Sequence, residues 1–479
     1  MSRRGLQFCL PLVWMALAGA VCYSAERPNF LVILCDDLGY GDLGCYGHPQ
    51  IKTPRIDKLA TEGIRFTDCY AAAPVCSPSR AGLLTGRTPA RAGIYDWISN
   101  NHPMHLAKGE TTIATLLKQS GYSTCHIGKW HLNGKFNQAE QPQPSDHGFD
   151  HWMSTQNNAG PSHANPRNFV RNGTPIGDQE GYSCELVAKE AIRWLSDLRD
   201  KTKPFFLFVC FHETHEPVAS PADLVAQYPD AKKEGEAEYY ANAANVDRAV
   251  GKLLDKIDEL RATKQTLVLF TSDNGPETLL RYPSGKHCHG SPGPLRGMKL
   301  HLYEGGIRVP GILRYPPRVK AGLTISEPIC SLDLLPTFCE LAGVTPPAGR
   351  ELDGESITPV FDGQPIQRTT PLYWQYYRSI GEPKAALRVG DYVILGKWDG
   401  PQLPAGAGVA RGDCEIIKSA KLNGFELYNL KTDLAQKTDL ATTEPEKLKE
   451  LSKLLVDKYQ EVQKQGRVWD VPAPVTKEK

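Results

Sequence analysis

The residues most suggestive of chemistry lie in Cys76-Ser77-Pro78-Ser79-Arg80, which continues as Ala81-Gly82-Leu83-Leu84-Thr85-Gly86-Arg87. Ser77 is a favourable N-cap, Pro78 suits a first helical position and Gly86 suits a helix end. The spacing predicts a short helix with Cys76 just ahead of its N-terminus. Backbone N–H groups and the helix dipole favour an anion at such a point, and Arg80, about one turn in, can reach back to it. A cysteine before a capped helix is ordinarily a packing residue; the whole stretch from Cys76 to Arg87, not the cysteine alone, sets this one apart. Further polar clusters carry groups for cation binding and proton transfer: Asp36-Asp37, Lys129-Trp130-His131, His212-Glu213-Thr214-His215 and Asp273-Asn274-Gly275. Lys129 and His131, two apart in an extended segment, are expected to face one side. His131, His212 and His215 bring groups that titrate near neutral pH, and the last two, three apart, can share a site.

Each of these clusters closes a short apolar run, at residues 29–34, 122–127, 205–211 and 266–271. Such runs predict buried strands of a parallel sheet. Helical patterns at 53–62, 112–119, 183–199 and 236–260 alternate with them. The order predicts an α/β protein with a large doubly wound, mixed, mostly parallel sheet flanked by helices. Ligands in such sheets bind beyond the carboxyl ends of the strands, so the polar clusters are expected to converge on one crevice. Residues 138–171 and 279–296, rich in Asn, Pro, Gly and Ser, predict loops. Near residue 370 the character changes. Residues 385–395 predict a hairpin turning at Gly390-Asp391, 425–430 a further strand, and 445–465 a helix with Leu448, Leu451, Leu455 and Tyr459 on one face. The expected organisation is residues 1–25, 26–369 and 370–479, the last a smaller C-terminal α+β subdomain of antiparallel sheet plus helix.

The chain has 479 residues, 41% of them hydrophobic and 23% charged, as in ordinary globular proteins. A net charge of +1 with no basic run excludes attraction of a polyanion by bulk charge, so no nucleic acid partner is expected and anion recognition must be local. Arg3 and Arg4 precede an apolar run over 8–21 and small-residue sites at Ala18-Gly19-Ala20 and Tyr23-Ser24-Ala25. This predicts a signal peptide over residues 1–25 and export to the periplasm or beyond. The run is too short for a confident transmembrane helix, and no later stretch is apolar enough to span a membrane, so no stable insertion is expected. A lipoprotein anchored at Cys22 ranks below this, because Val21 suits a lipobox poorly. Of 13 cysteines, Cys9 and Cys22 fall in the signal. Setting Cys76 aside leaves an even number, which permits disulfides, while Cys35 and Cys210 in apolar runs suit buried thiols equally well.

From residue 29 to about residue 440 the chain resembles the type I, formylglycine-dependent sulfatases of the alkaline phosphatase superfamily, of the arylsulfatase A and N-acetylgalactosamine-sulfatase kind. The Cys76 signature carries the resemblance. With it come Asp36-Asp37-Leu38-Gly39-Tyr40-Gly41-Asp42, Gly128-Lys129-Trp130-His131-Leu132, His215-Glu216-Pro217, Ser272-Asp273-Asn274-Gly275 and Leu295-Arg296-Gly297-Met298-Lys299. The resemblance implies that a formylglycine-generating enzyme oxidises Cys76 to 3-oxoalanine. It implies one Ca²⁺ ion on Asp36, Asp37, Asp273 and Asn274, a hard oxygen set suited to that ion, with Mg²⁺ as the alternative. Arg80 and Lys129 would then hold the hydrated aldehyde, and His215, in preference to His212, would meet the sulfate together with Lys299. In the implied reaction one hydroxyl of the hydrate attacks sulfur, His215 or Lys299 protonates the leaving alcohol, and His131 deprotonates the second hydroxyl to expel sulfate. Glu216 stands where the family usually has threonine; Glu304 and Arg308 are expected to be structural.

The substrate pocket is expected from loops at 95–105, 157–171 and 279–296 and from the C-terminal subdomain. Trp97 and Trp152 can stack on a sugar ring, and His102, His105, His287 and His289 can meet hydroxyls or a carboxylate, although each alone suits packing as well. The expected activity is removal of sulfate from a sulfated carbohydrate or an aryl sulfate. A formylglycine-dependent phosphate or phosphonate monoester hydrolase on the same fold is the alternative. A secreted carbohydrate-binding protein without activity is disfavoured by the full set of catalytic positions.

Overall fold

The computed structural model describes residues 27–278 and 287–472. The expected signal peptide, with Cys9 and Cys22, and residues 279–286 of the expected loop lie outside the described residues.

Five parallel strands form the centre of the fold, side by side in the order Thr266–Ser272, Asn29–Asp36, Phe205–Thr214, Ser123–Lys129 and His151–Thr155. Gly311–Arg314 runs antiparallel to Thr266–Ser272 and makes the sheet mixed. Leu31 pairs with Leu207 on one side and Val268 on the other. The pleat explains why these strands are apolar at every position. Phe30, Val32 and Leu34 pack with Leu83, Leu116 and Phe338 of the helices Cys76–Thr85, Ile113–Gln119 and Leu334–Ala342. Leu31 and Ile33 pack with Val187, Val246 and Leu253 of the helices Ser183–Arg193 and Glu236–Glu259 on the opposite face. Both faces are covered, which is the condition for a buried parallel sheet.

The four expected strands and the α/β class are borne out. One expectation needs correction: residues 138–171 are not wholly loop. His151–Thr155 is buried and pairs in parallel with Ser123–Lys129, which supplies ladder partners to the backbone groups on that side. The surrounding Pro, Asn and Gly residues hide this five-residue strand in the sequence.

The C-terminal subdomain is an antiparallel sheet of Leu372–Gln375, Pro383–Val389, Tyr392–Trp398 and Leu422–Asn429. The helix Pro445–Gln465 covers it with Leu451, Leu455, Tyr459 and Val462, and Leu448 is only partly buried. One apolar cluster runs unbroken from Phe30 through Phe338 and Tyr373 to Leu387 and Leu455. Trp374 Nε1 donates to the Ala71 carbonyl at 2.8 Å, and Lys458 Nζ lies 2.8 Å from Asp353, which also holds Arg91. The eleven cysteines described are all free thiols. No helix among the described residues is long and apolar enough to cross a membrane.

The Phe30 and Phe338 rings stack at 4.2 Å where sheet meets helix. Phe338→Ala is expected to lower stability by about 3–5 kcal/mol, read as a lower urea midpoint at unchanged slope; an unchanged midpoint contradicts this packing account.

Candidate active site

The polar clusters do converge, because their strands are neighbours. Asp36, Lys129 and Thr214 end three adjacent strands, His215 follows the last of these, and Asp273 follows the fourth strand. The helix that starts at Cys76 closes the site. Its start differs from expectation: Val75 occupies the cap position and Cys76 is the first helical residue. Ser77 makes no cap because its hydroxyl accepts from Ile98 N at 3.1 Å. Gly86 ends the helix in the left-handed region (φ 65°), as expected.

Lys129 and His131 reach the site by a different route from the one expected. The segment is not extended: Gly128 has φ 104° and His131 φ 54°. A Cβ at Gly128 would lie 1.8 Å from the Cys210 carbonyl oxygen, so only glycine permits this approach. Lys129 Nζ then meets Asp36 Oδ2 at 2.5 Å, while His131 lines the cavity above.

The cavity holds about 260 Å³. Cys76, His131, His215 and Lys299 line it, with Val75, Trp97, Asn157, Asn158, Glu216, Leu300 and Gly406. Arg80, Lys129 and the four acidic or amide residues lie beneath, buried. Arg80 donates twice to Asp273 Oδ2, at 2.7 and 3.0 Å, and once to the Lys129 carbonyl at 2.8 Å. Asp37, in the left-handed region at φ 62°, donates its N–H to Asp273 Oδ1 at 3.2 Å and accepts from Asn274 Nδ2 at 2.7 Å. Lys299 Nζ lies 2.7 Å from Asp37 Oδ2 and 3.2 Å from Glu277 Oε2.

Two observations fit a bound cation. Asp36 Oδ1 and Asn274 Oδ1 are buried acceptors with no hydrogen bond among the described residues, a condition that buried polar atoms rarely tolerate. Ligand atoms of Asp36, Asp37, Cys76 and His215 also all lie within 4.8 Å of one another. Asp273 is engaged through both oxygens by the Asp37 N–H and Arg80.

The electrostatics separate the ionisable groups. Burial opposes ionisation of Asp36, but Lys129, His215 and Arg80 hold its carboxyl well below the usual carboxylate range. Burial raises Asp37 despite Lys299 and His215. A divalent ion would draw both down. The histidines part in opposite directions. Burial, with Lys129 and Arg80 nearby, keeps His131 well below the ordinary value. For His215, burial and Lys299 oppose the proton, yet Asp37, Glu216 and Asp36 outweigh them and its pKa lies well above the ordinary value. His131 Nε2 pairs with the Ile98 carbonyl at 3.1 Å, which leaves Nδ1 as the unprotonated nitrogen, buried and without a hydrogen-bond partner.

Of the residues weighed for the substrate pocket, Trp97 lines it and Trp152 does not; Trp152 packs on Phe136. His102 binds the Val409 carbonyl, His105 the Pro103 carbonyl, His289 the Glu234 carbonyl, and His287 pairs with Glu238. His212 points away from the cavity to Thr155 Oγ1 at 2.8 Å. Glu304 and Arg308 pair with each other and with Tyr70 and Asp68, in the structural role expected. Glu277, Asn157, Asn158 and Gly406 were not singled out by motif. Glu277 follows Asp273-Asn274-Gly275-Pro276, but nothing in that spacing says its carboxylate turns to Lys299.

A mixed sheet with a small C-terminal antiparallel sheet, and a buried cluster of acidic and basic side chains at its strand ends, fit a hydrolase of the sulfatase class. The sulfatase family model matches residues 28–344, and a model for the C-terminal part of N-sulphoglucosamine sulphohydrolase matches residues 298–391. N-acetylgalactosamine-6-sulfatase of Canis lupus familiaris is 35% identical over 80% of this chain and 74% of its own length. Arylsulfatase A of Homo sapiens is 35% identical over 79% of this chain and 76% of its own. The crystal structure of Ps i-CgsB in complex with k-i-k-neocarrahexaose superposes with a TM-score of 0.76 at 26% identity, covering 92% of this chain and 94% of that one. The chain belongs to the sulfatase family and is an enzyme that hydrolyses sulfate esters.

Because Arg80 meets Asp273 through two donors and Lys129 through a third, lysine cannot replace it. Arg80→Ala and Arg80→Lys are each expected to cost about 3–5 kcal/mol by leaving Asp273 buried and unpaired. Urea unfolding without added metal measures this, and a wild-type midpoint in Arg80→Lys refutes the bidentate account.

Proposed function

We propose that this sulfatase removes sulfate from a sulfated carbohydrate, using a formylglycine made from Cys76 and a calcium ion held by Asp36, Asp37, Asp273 and Asn274. The observation that carries this reading is the position of Cys76. It is the first residue of a buried helix, on a cavity shared with His131, His215 and Lys299 and within 4.8 Å of Asp36 and Asp37 ligand atoms. The curated relatives named for N-acetylgalactosamine 6-sulfate and the Ps i-CgsB structure with its carrahexaose support a carbohydrate substrate. A volume of about 260 Å³ suits one sulfated ring, below the range of about 300–1,000 Å³ for larger ligands.

The hydrated aldehyde would supply the nucleophilic hydroxyl that a thiol lacks, and calcium would polarise a sulfate oxygen. The chain's own residues supply the rest. Arg80 and Lys129 fix the floor through charge-assisted bonds. Lys299 and protonated His215 face the sulfate, and His215 Nε2 delivers a proton to the leaving oxygen. His131 Nδ1, neutral and unprotonated, would take the proton of the second hydroxyl of the residue made from Cys76, and sulfate would leave as the aldehyde C=O re-forms. Two histidines held at opposite protonation states are the arrangement that acid and base roles need. Modification requires a formylglycine-generating enzyme as a partner. Residues 1–25 would direct export, and residues 370–479 would act as the subdomain that supplies Gly406 to the cavity.

Cys76→Ala is expected to abolish turnover of 4-nitrophenyl sulfate with its melting temperature unchanged; activity in that variant ends the mechanism. Thorough chelation is expected to lower both activity and melting temperature, and calcium to restore them, since a ligand bound only by the native state stabilises it. Matched sulfate and phosphate esters test the reaction class, and a preference for phosphate contradicts it.

A further inference from the structure

We propose that Trp97, with Val75 and Leu300, is the platform on which the apolar face of the substrate ring lies, and that Asp96 is the positioning residue that presents it. The proposal rests on the reading of the Cys76 cavity as the substrate site and deepens it. Trp97, Val75 and Leu300 line that cavity with Cys76, His215 and Lys299. The three also share one apolar cluster, Val75 and Leu300 buried within it and Trp97 partly buried against it. Val75 precedes Cys76 and Leu300 follows Lys299, so this patch adjoins the groups that meet the sulfate. A pyranose carries hydroxyls around its edge and C–H groups across a face. A flat indole suits that face, and it is a rigid anchor with little rotamer freedom to lose.

The indole is fixed at both ends. Nε1 donates to the Gly406 carbonyl at 2.9 Å, and the Trp97 backbone N–H donates to Asp96 Oδ1 at 2.8 Å. Its polar edge is thus satisfied by the protein, which leaves apolar ring surface for the cavity. Asp96 is fully buried, and the Tyr376 hydroxyl donates to the same Oδ1 at 3.0 Å. Arg378 Nε lies 3.9 Å from Asp96 Oδ2. The same guanidinium donates to the Pro404 carbonyl at 2.9 Å and to Asp413 Oδ2 at 2.7 Å, and Ala410 N donates to that Asp413 oxygen at 2.7 Å. Residues 404 and 410 are thereby pinned on either side of Gly406. Gly408, at φ 75°, brings backbone against the indole: a Cβ there would lie 3.7 Å from Trp97 Cε2. Asp96 is where the loop after the signature helix meets this segment of the C-terminal subdomain, and it acts through Trp97.

The test measures kcat and KM for 4-nitrophenyl sulfate and for methyl galactopyranoside 6-sulfate, and Ki for inorganic sulfate. It compares wild type with Trp97→Ala, Trp97→Phe, Asp96→Ala and Asp96→Asn, each with verified formylglycine. Inorganic sulfate carries no ring, so its Ki reports the floor alone. Trp97→Ala is expected to raise KM about 5- to 150-fold, the range for loss of one aromatic stack. Its kcat and sulfate Ki are expected to hold, because binding shared by ground and transition states appears in KM alone. Trp97→Phe, which keeps a ring face, is expected to recover most of the loss. Trp97→Leu takes the place of Trp97→Ala if that variant fails to fold. Asp96→Ala is expected to raise KM in the same selective way, and Asp96→Asn, which keeps an oxygen for Trp97 and Tyr376, to restore it. A wild-type KM in Trp97→Ala, or a sulfate Ki that rises in step with KM, overturns the platform. A wild-type KM in Asp96→Ala, or no recovery in Asp96→Asn, overturns the positioning role. A wild type that turns over neither ester overturns the reading of the cavity and the proposal with it.

Discussion

Arg80 is buried at 1% exposure, and its guanidinium must be answered on every side. Asp273 takes two of its donors and the Lys129 carbonyl a third. A buried charge without partners costs several kcal/mol, so the signature helix, the end of the Ser123–Lys129 strand and the turn after Thr266–Ser272 are stable only when they arrive together. Lys129 repeats the constraint by reaching Asp36 on the first strand. Lys299 extends it to Asp37 and Glu277. Three cations and their carboxylates form one network, and the parallel sheet holds it at fixed spacing.

That network explains why the two cavity histidines differ. Both are buried, and burial alone would neutralise each. His131 sits nearer the cations Lys129 and Arg80, whereas His215 has Asp37, Glu216 and Asp36 for company. The fold thus holds one imidazole neutral and the other protonated with the same side-chain type. The buried oxygens of Asp36 and Asn274 that accept no hydrogen bond among the described residues complete the picture, since a cation is a partner such a pair fits.

The cavity walls come from elsewhere. Trp97 follows the signature helix, Asn157 and Asn158 follow the strand His151–Thr155, and Gly406 comes from the C-terminal subdomain. The subdomain shares an apolar core with the catalytic layer through Phe338, Tyr373 and Leu387, so its loop meets the cavity as part of one packed body. Floor and wall have separate origins: the floor is built on adjacent strands, the wall on loops that can vary without disturbing the sheet.

The α/β class, four of the five central strands and the convergence of Asp36, Lys129, His215 and Asp273 were legible in the chain. Apolar runs ending in polar residues are local signals, and neighbouring parallel strands leave their ends on one edge. The Cys76 motif likewise marked its own site. Other features depended on distant partners. Ser77 looked like a helix cap until Ile98 claimed its hydroxyl, and the strand His151–Thr155 needed the Ser123–Lys129 edge to pair with. Lys129 and His131 share a site through a left-handed turn at Gly128, where the Cys210 carbonyl leaves no room for a Cβ, not through an extended segment. Spacing left His212 and His215 equal; the fold sent one to Thr155 and the other to the cavity. The sequence by itself determined which groups are present and which secondary structures carry them, because both follow from residue type and local periodicity. Only the tertiary structure decided which charges face one another, because Glu216 and Glu277 acquire their meaning from His215 and Lys299, and the second of these pairs is brought together across more than one element of the fold.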